Sequence, residues 1–167
     1  MAIHSRFHYH SLEDLKMGID VLHLGIPLSR NFAVFKKPLT IAGRPVWNRF
    51  SVHPMEGFDA DPTGTPGRLS FRRYSRYATG GAAVIWFEAT SVVPEARSNP
   101  GQFWLHAGNV GTYARLVQAT RDAARREFGQ APLLILQLTH SGTYRLGALA
   151  VQVGFCPIAP SARPRAE

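Results

Sequence analysis

Residues 80–97 read GGAAVIWFEATSVVPEAR, a glycine pair followed by an apolar run that ends at a single carboxylate, Glu88. Unbroken apolar character, as opposed to alternation, marks a strand covered on both faces, which is what a parallel strand inside an α/β layer requires. Gly80 and Gly81 ahead of it are helix stops, and Pro94 behind it opens an irregular loop.

Working outward, Leu69, Phe71, Tyr74 and Tyr77 or Ala78 fall at three- and four-residue intervals and predict a helix that closes at the glycine pair. Residues 57–67 hold three glycines, two prolines and two aspartates, too many breakers for a regular element. Before that loop, FSVHPM (50–55) predicts a buried strand whose exit is marked by Pro54. Further back, PLTIAGRPVWNRF predicts two short strands turning at Ala42 and Gly43, and Ser11 with Glu13 and Asp14 predicts a capped helix from Leu12 to about Asp20. Downstream, Val110, Tyr113, Leu116, Val117, Thr120, Ala124 and Phe128 share one helical face from about Asn109 to Phe128. Arg121, Arg125 and Arg126 sit toward its negative end and Gly129 stops it. PLLILQL then predicts a further buried strand.

The order strand, helix, strand, helix, strand makes parallel crossovers. A doubly wound sheet and part of a barrel both satisfy it. No GxGxxG turn is present, and the loops at strand C-termini are long while those at helix C-termini are short, which favours a barrel with a working top face. The expected fold class is therefore α/β, a partial (β/α)8 TIM barrel: the first three strand-helix units, preceded by an N-terminal helix and hairpin. Residues 1–36 are expected to form an N-terminal extension with a short helix, 37–145 the barrel portion, and 146–167 an irregular tail rich in Pro, Ala and Arg.

With 167 residues, 45% of them hydrophobic, the chain can bury about one ordinary core. A net charge of +8 and a pI near 10.4 suit an acidic partner. The charge is dispersed, however, in separate pairs such as Arg72–Arg73 and Arg125–Arg126, without the interleaved aromatics of a nucleic-acid module. The single cysteine, Cys156, excludes an internal disulfide and points to a reducing compartment. Glu13, Asp14, Lys16 and Asp20 are mixed into the short apolar stretches of the first thirty residues, leaving neither a signal-peptide core nor a membrane span, so the expectation is a cytoplasmic protein. His4, His8 and His10 read as a surface arm and not as a metal site, and no metal is expected.

NRF (48–50), HPME (53–56), GGAAVIWFEATSV (80–92) and LQLTHSG (136–142), in this order and spacing, resemble the NADH:flavin oxidoreductase or old yellow enzyme family. The resemblance spans roughly residues 37–145 and implies FMN as cofactor, NAD(P)H as reductant and a small-molecule electron acceptor such as an activated alkene. It also implies flavin contacts at Pro54, Met55, Glu56, Ala89 and Gln137, and a substrate contact at His140. Glu56 departs from the small hydroxyl or thiol residue of the better-known branches. The family's paired substrate-binding residues and its phosphate-binding strands lie beyond the matched stretch, so no catalytic residue is assigned.

From the residues alone, Gln137 reads as a core amide satisfied by backbone, Glu88 as the structural partner of a later arginine, and Arg97 as a solvated loop residue. Two other functions stay open. One is a non-catalytic truncated barrel fragment that self-associates through exposed strand edges. The other is a basic binding module without flavin.

Overall fold

A computed structural model describes residues 8–141 and 154–157 of the chain, which divides into two compact units between Val34 and Phe35. In the first unit, helix α1 (Leu12–Val21) starts at Ser11, whose Oγ accepts from the Asp14 amide at 3.0 Å, with Glu13 and Asp14 in the first turn. Both features match what the sequence predicts there. Ile19 is the buried residue of the helix, and the Tyr9 ring packs so closely on Gly18 that a Cβ there would collide with it.

The second unit opens with a hairpin of β1 (Leu39–Ile41) and β2 (Arg44–Val46), paired antiparallel with Leu39 opposite Val46. Ala42 and Gly43 turn it with positive φ at both positions, 47° and 75°, the left-handed pair a two-residue hairpin needs. Asn48 then locks the hairpin exit to the coming strand. Its Nδ2 donates to the Gly81 carbonyl at 2.7 Å and its Oδ1 accepts from the Ala83 amide at 3.2 Å.

The main sheet runs β3 (Ser51–Val52), β4 (Val84–Ser91), β6 (Leu133–Thr139) and β7 (Gly154–Pro157) in that order, with β5 (Phe103–Trp104) also on β4. β3, β5 and β6 are all parallel to β4. Because β6 occupies one edge of β4, β5 takes the same edge as β3, further along. Helix α2 (Arg68–Thr79) connects β3 to β4, and α3 (Val110–Phe128), ended by left-handed Gly129, leads into β6.

Both faces of β4 are covered, as its unbroken apolar run implies. On one face Ile85, Phe87 and Leu134 pack with Tyr74 and Ala78 of α2 and Leu116 and Ala124 of α3. On the other, Ala83, Val84 and Ile135 pack with Val46 of the hairpin. Tyr74 stacks on Phe87 at 4.3 Å between ring centres, and Phe103 meets Tyr113 edge-on at 5.6 Å.

Four expectations are corrected. The strand in FSVHPM is two residues long, with Ser51 exposed and Val52 half-buried, because it is a short edge strand and not a buried one. Leu69 and Val110, at the first turns of α2 and α3, are exposed despite their helical spacing. The helix expected after β6 falls on residues outside those described; the next described element is β7, antiparallel to β6, where a barrel of this class continues in parallel. The segment 146–167 is accordingly not wholly irregular, since it supplies β7, and its remaining residues lie outside those described. Among the described residues no helix is long and apolar enough to cross a membrane.

Candidate functional site

The C-terminal ends of β3, β4 and β6 point the same way and carry the residues singled out by sequence. A bulge shapes this end. Phe87 pairs with Leu136 and Thr90 with Leu138, so β4 spends one residue more than β6 over this step. The extra residue lets two sequence neighbours reach the same helix: Phe87 stacks on Tyr74 while the Glu88 carboxylate accepts from the Tyr74 hydroxyl at 3.3 Å. Ala89 stands in the bulge, opposite Gln137.

Glu88 is fully buried and anchors the segment that leaves β3. Its Oε2 accepts from the Gly57 amide at 2.7 Å, and its Oε1 accepts from Arg73. Arg73 also donates to both oxygens of Asp59, at 2.6 and 3.2 Å, and Ser70 donates to Asp59 at 2.8 Å. Burial raises the pKa of Glu88, against the opposing effect of the Gly57 amide and the Arg73 charge. Burial pulls Arg73 down, but the Asp59 hydrogen bonds and the two carboxylate charges outweigh it and hold the guanidinium pKa above its ordinary value. The partner of Glu88 is thus an arginine earlier in the chain, not a later one. The helix preceding β4 lies against it, so that side chain was already in reach.

A Cβ at Gly57 would run into the Arg73 guanidinium, which would have to shift from its place between Asp59 and Glu88. Pro54 is half-buried and Met55 is 69% exposed. The Glu56 carboxylate accepts from Asn99 Nδ2 at 3.3 Å and Ser98 Oγ at 3.5 Å, and burial raises its pKa against these two donors.

Gln102, which no sequence pattern singled out, joins the strand ends. Its Oε1 accepts from the Ser98 amide at 2.6 Å, while its Nε2 donates to the Ala89 carbonyl at 3.3 Å and to Thr139 Oγ1 at 3.4 Å. Arg97 is not a solvated loop residue: it donates to the carbonyls of Gln102, Pro62 and Pro100 and ties three turns together. His140 is exposed at the end of β6, beside Ser141, whose amide donates to the Ala96 carbonyl at 3.1 Å.

Besides Arg73 Nε, Gln137 is the exception to this satisfied network among the described residues. Its Oε1 is buried and has no hydrogen-bond partner, whereas buried amide oxygens are nearly always paired. Register brings it level with Ala89, and the Gly57 anchor on Glu88 brings the Pro54–Glu56 segment to the same end of the sheet.

No family model matches the chain, and no curated protein matches it in sequence. Solved structures do match. The fold resembles part of an old yellow enzyme. The old yellow enzyme from Trypanosoma cruzi aligns over 66% of this chain and 28% of its own length, with 23% identity and a TM-score of 0.54. The old yellow enzyme homologue from Zymomonas mobilis aligns over 65% of this chain and 28% of its own, with 22% identity and a TM-score of 0.55. Morphinone reductase in complex with tetrahydroNAD aligns over 65% and 27%, with 24% identity and a TM-score of 0.54. The chain therefore spans between a quarter and a third of the length of these old yellow enzymes. Among the described residues no group of His, Cys, Asp and Glu is placed to hold a metal ion.

Proposed function

We propose that the strand ends of this chain form part of the flavin site of an FMN-dependent oxidoreductase of the old yellow enzyme type. Such an enzyme passes hydride from NAD(P)H through the flavin to an activated alkene or similar small-molecule acceptor. The observation that carries this reading is the buried, unpartnered Oε1 of Gln137. Leaving a buried acceptor unpaired costs roughly 1–3 kcal/mol, and a donor on a ligand recovers it. The rim of an isoalloxazine offers such a donor in its imide N–H.

When bound, FMN supplies the two-electron chemistry. The chain supplies orientation. Gln137 accepts from the imide edge, and Ala89, with only a methyl side chain, allows close approach of the main chain. Pro54 and Met55 line the ring from the β3 exit. Glu56, raised in pKa by burial, is the titratable neighbour of that segment, and exposed His140 is the candidate substrate contact. The FMN phosphate has no assigned partner among the described residues.

The test is flavin binding by the wild type and by Gln137→Leu, read by quenching of FMN fluorescence. The expected result is a substitution that leaves the flavin-free protein as stable as before, or more so, yet weakens FMN binding about tenfold or more. Equal binding by the variant, or no saturable binding by the wild type, overturns the reading.

A second reading, a non-catalytic barrel fragment that self-associates, is favoured by one observation. The short edge strand β3 is flanked by exposed Phe50, Met55 and Phe58, which are 51%, 69% and 63% accessible.

A further inference from the structure

Helix α2 is divided by charge along its length. Ser70, Tyr74 and Ala78, one turn apart, form its buried face. Arg68, Arg72 and Arg76, also one turn apart, form the opposite face, and all three are exposed. The helix, RLSFRRYSRYAT, holds no carboxylate. Its fourth arginine, Arg73, is engaged by Asp59 and Glu88. Among the described residues no acidic side chain pairs with Arg68, Arg72 or Arg76. Stability of the helix does not account for this stripe. Like charges one turn apart repel, and Arg68 stands at the positive end of the helix dipole, where the first turn has no acid to offset it. The dipole favours Arg76 alone, in the last turn. A face that served only solubility would mix the two signs. Beside the stripe, Arg72 and Arg76 border an open cleft of about 430 Å3 together with Leu69, Tyr77, Arg73 and Asp59. Both oxygens of Asp59 are already taken, by Arg73 and Ser70, whereas Leu69 is 50% exposed.

We infer that this face of α2 docks an acidic helical segment of a partner protein. Carboxylates four residues apart on such a helix rise by about 6 Å per step, the same step that separates Arg68, Arg72 and Arg76. Two helices lying side by side therefore bring three charge pairs into register. Each guanidinium offers a planar fork of donors that matches a carboxylate, and the partner's negative charge offsets the repulsion along the stripe. The cleft receives one apolar side chain of the partner against Leu69 and Tyr77, an apolar contact that distinguishes a peptide from a phosphate backbone. This surface is separate from the strand ends assigned to flavin and does not depend on that assignment.

Fluorescence anisotropy on the whole chain, at constant ionic strength, tests it with two labelled alanine-based helical peptides. One carries three glutamates spaced four residues apart with a leucine beside them; the other holds the same residues with the glutamates spread around the helix. Saturable binding of the first is expected, about tenfold or more tighter than of the second. Arg68→Gln/Arg72→Gln/Arg76→Gln should weaken it about tenfold or more, and Leu69→Ala about threefold or more. The replaced side chains are exposed, so folding is retained. Lys36→Gln/Lys37→Gln/Arg126→Gln removes the same charge from exposed positions elsewhere and keeps wild-type binding. Four outcomes overturn the inference: absence of saturation, equal affinity for the two peptides, unchanged affinity in Leu69→Ala, or an equal loss in the charge control. Tighter binding of a single-stranded oligothymidylate of equal net charge also overturns it, in favour of a nucleic acid.

Discussion

Glu88 shows how one buried carboxylate sets the pH response of the fold. Its folded-state pKa is raised, chiefly by burial, so the folded protein holds its proton more tightly than the unfolded chain does. The stability it contributes is complete below the ordinary glutamate value and is lost as pH rises through the raised one. The advantage of the wild type over Glu88→Gln should therefore be greatest near about pH 4 and shrink toward neutrality. Urea unfolding of both proteins across that range measures it, and an advantage that grows with pH contradicts the assignment. At this scale the sequence was only partly legible. An isolated acid in an apolar run announces a buried partner, but nothing in WFEA shows that a bulge turns Glu88 toward Arg73. Gln102 left no trace at all, because its role depends on three backbone segments that meet only in space.

Among elements, legibility followed length. α1, α2, α3, β4 and β6 each carry enough periodic or continuous apolar residues to be recognised, and their capping residues stand where the pattern places them. β5 is two residues long and exists only because β4 offers it an edge, so local pattern cannot reveal it, whereas β3 was foreseen from FSVHPM but as a longer, buried strand. The hairpin turn was legible from its glycine, yet it holds a strained residue beside it. Ala42 adopts φ 47°, a left-handed conformation that costs a non-glycine residue about 1–2 kcal/mol. Ala42→Asn, which makes the favoured Asn-Gly pair, should stabilise the protein by about 0.5–1 kcal/mol. Chemical denaturation measures the gain, and a loss of stability contradicts the turn geometry.

For the whole molecule, the shared direction of β3, β4 and β6 was readable from the alternation of strands and helices, whereas antiparallel β7 was not. It comes from a segment whose Pro, Ala and Arg content gives no strand signal. The exposed apolar residues beside β3 make a measurable prediction about association. Light scattering across a concentration series should show an average mass that rises above 18.5 kDa, and Phe50→Lys should lower it by placing a charge beside the open edge. A concentration-independent monomer mass excludes association through this edge.

The one-residue bulge in β4 also divides the strand into two frames. Before it, alternate residues point to the helices or to the hairpin in simple parity; after it, the parity is inverted. Removing Ala89 would bring the two frames back into phase and swing every later side chain of the strand, Thr90 and Ser91 included, to the opposite side of the sheet. The length of this strand is thus as much a determinant of its top surface as the identity of the residues standing there.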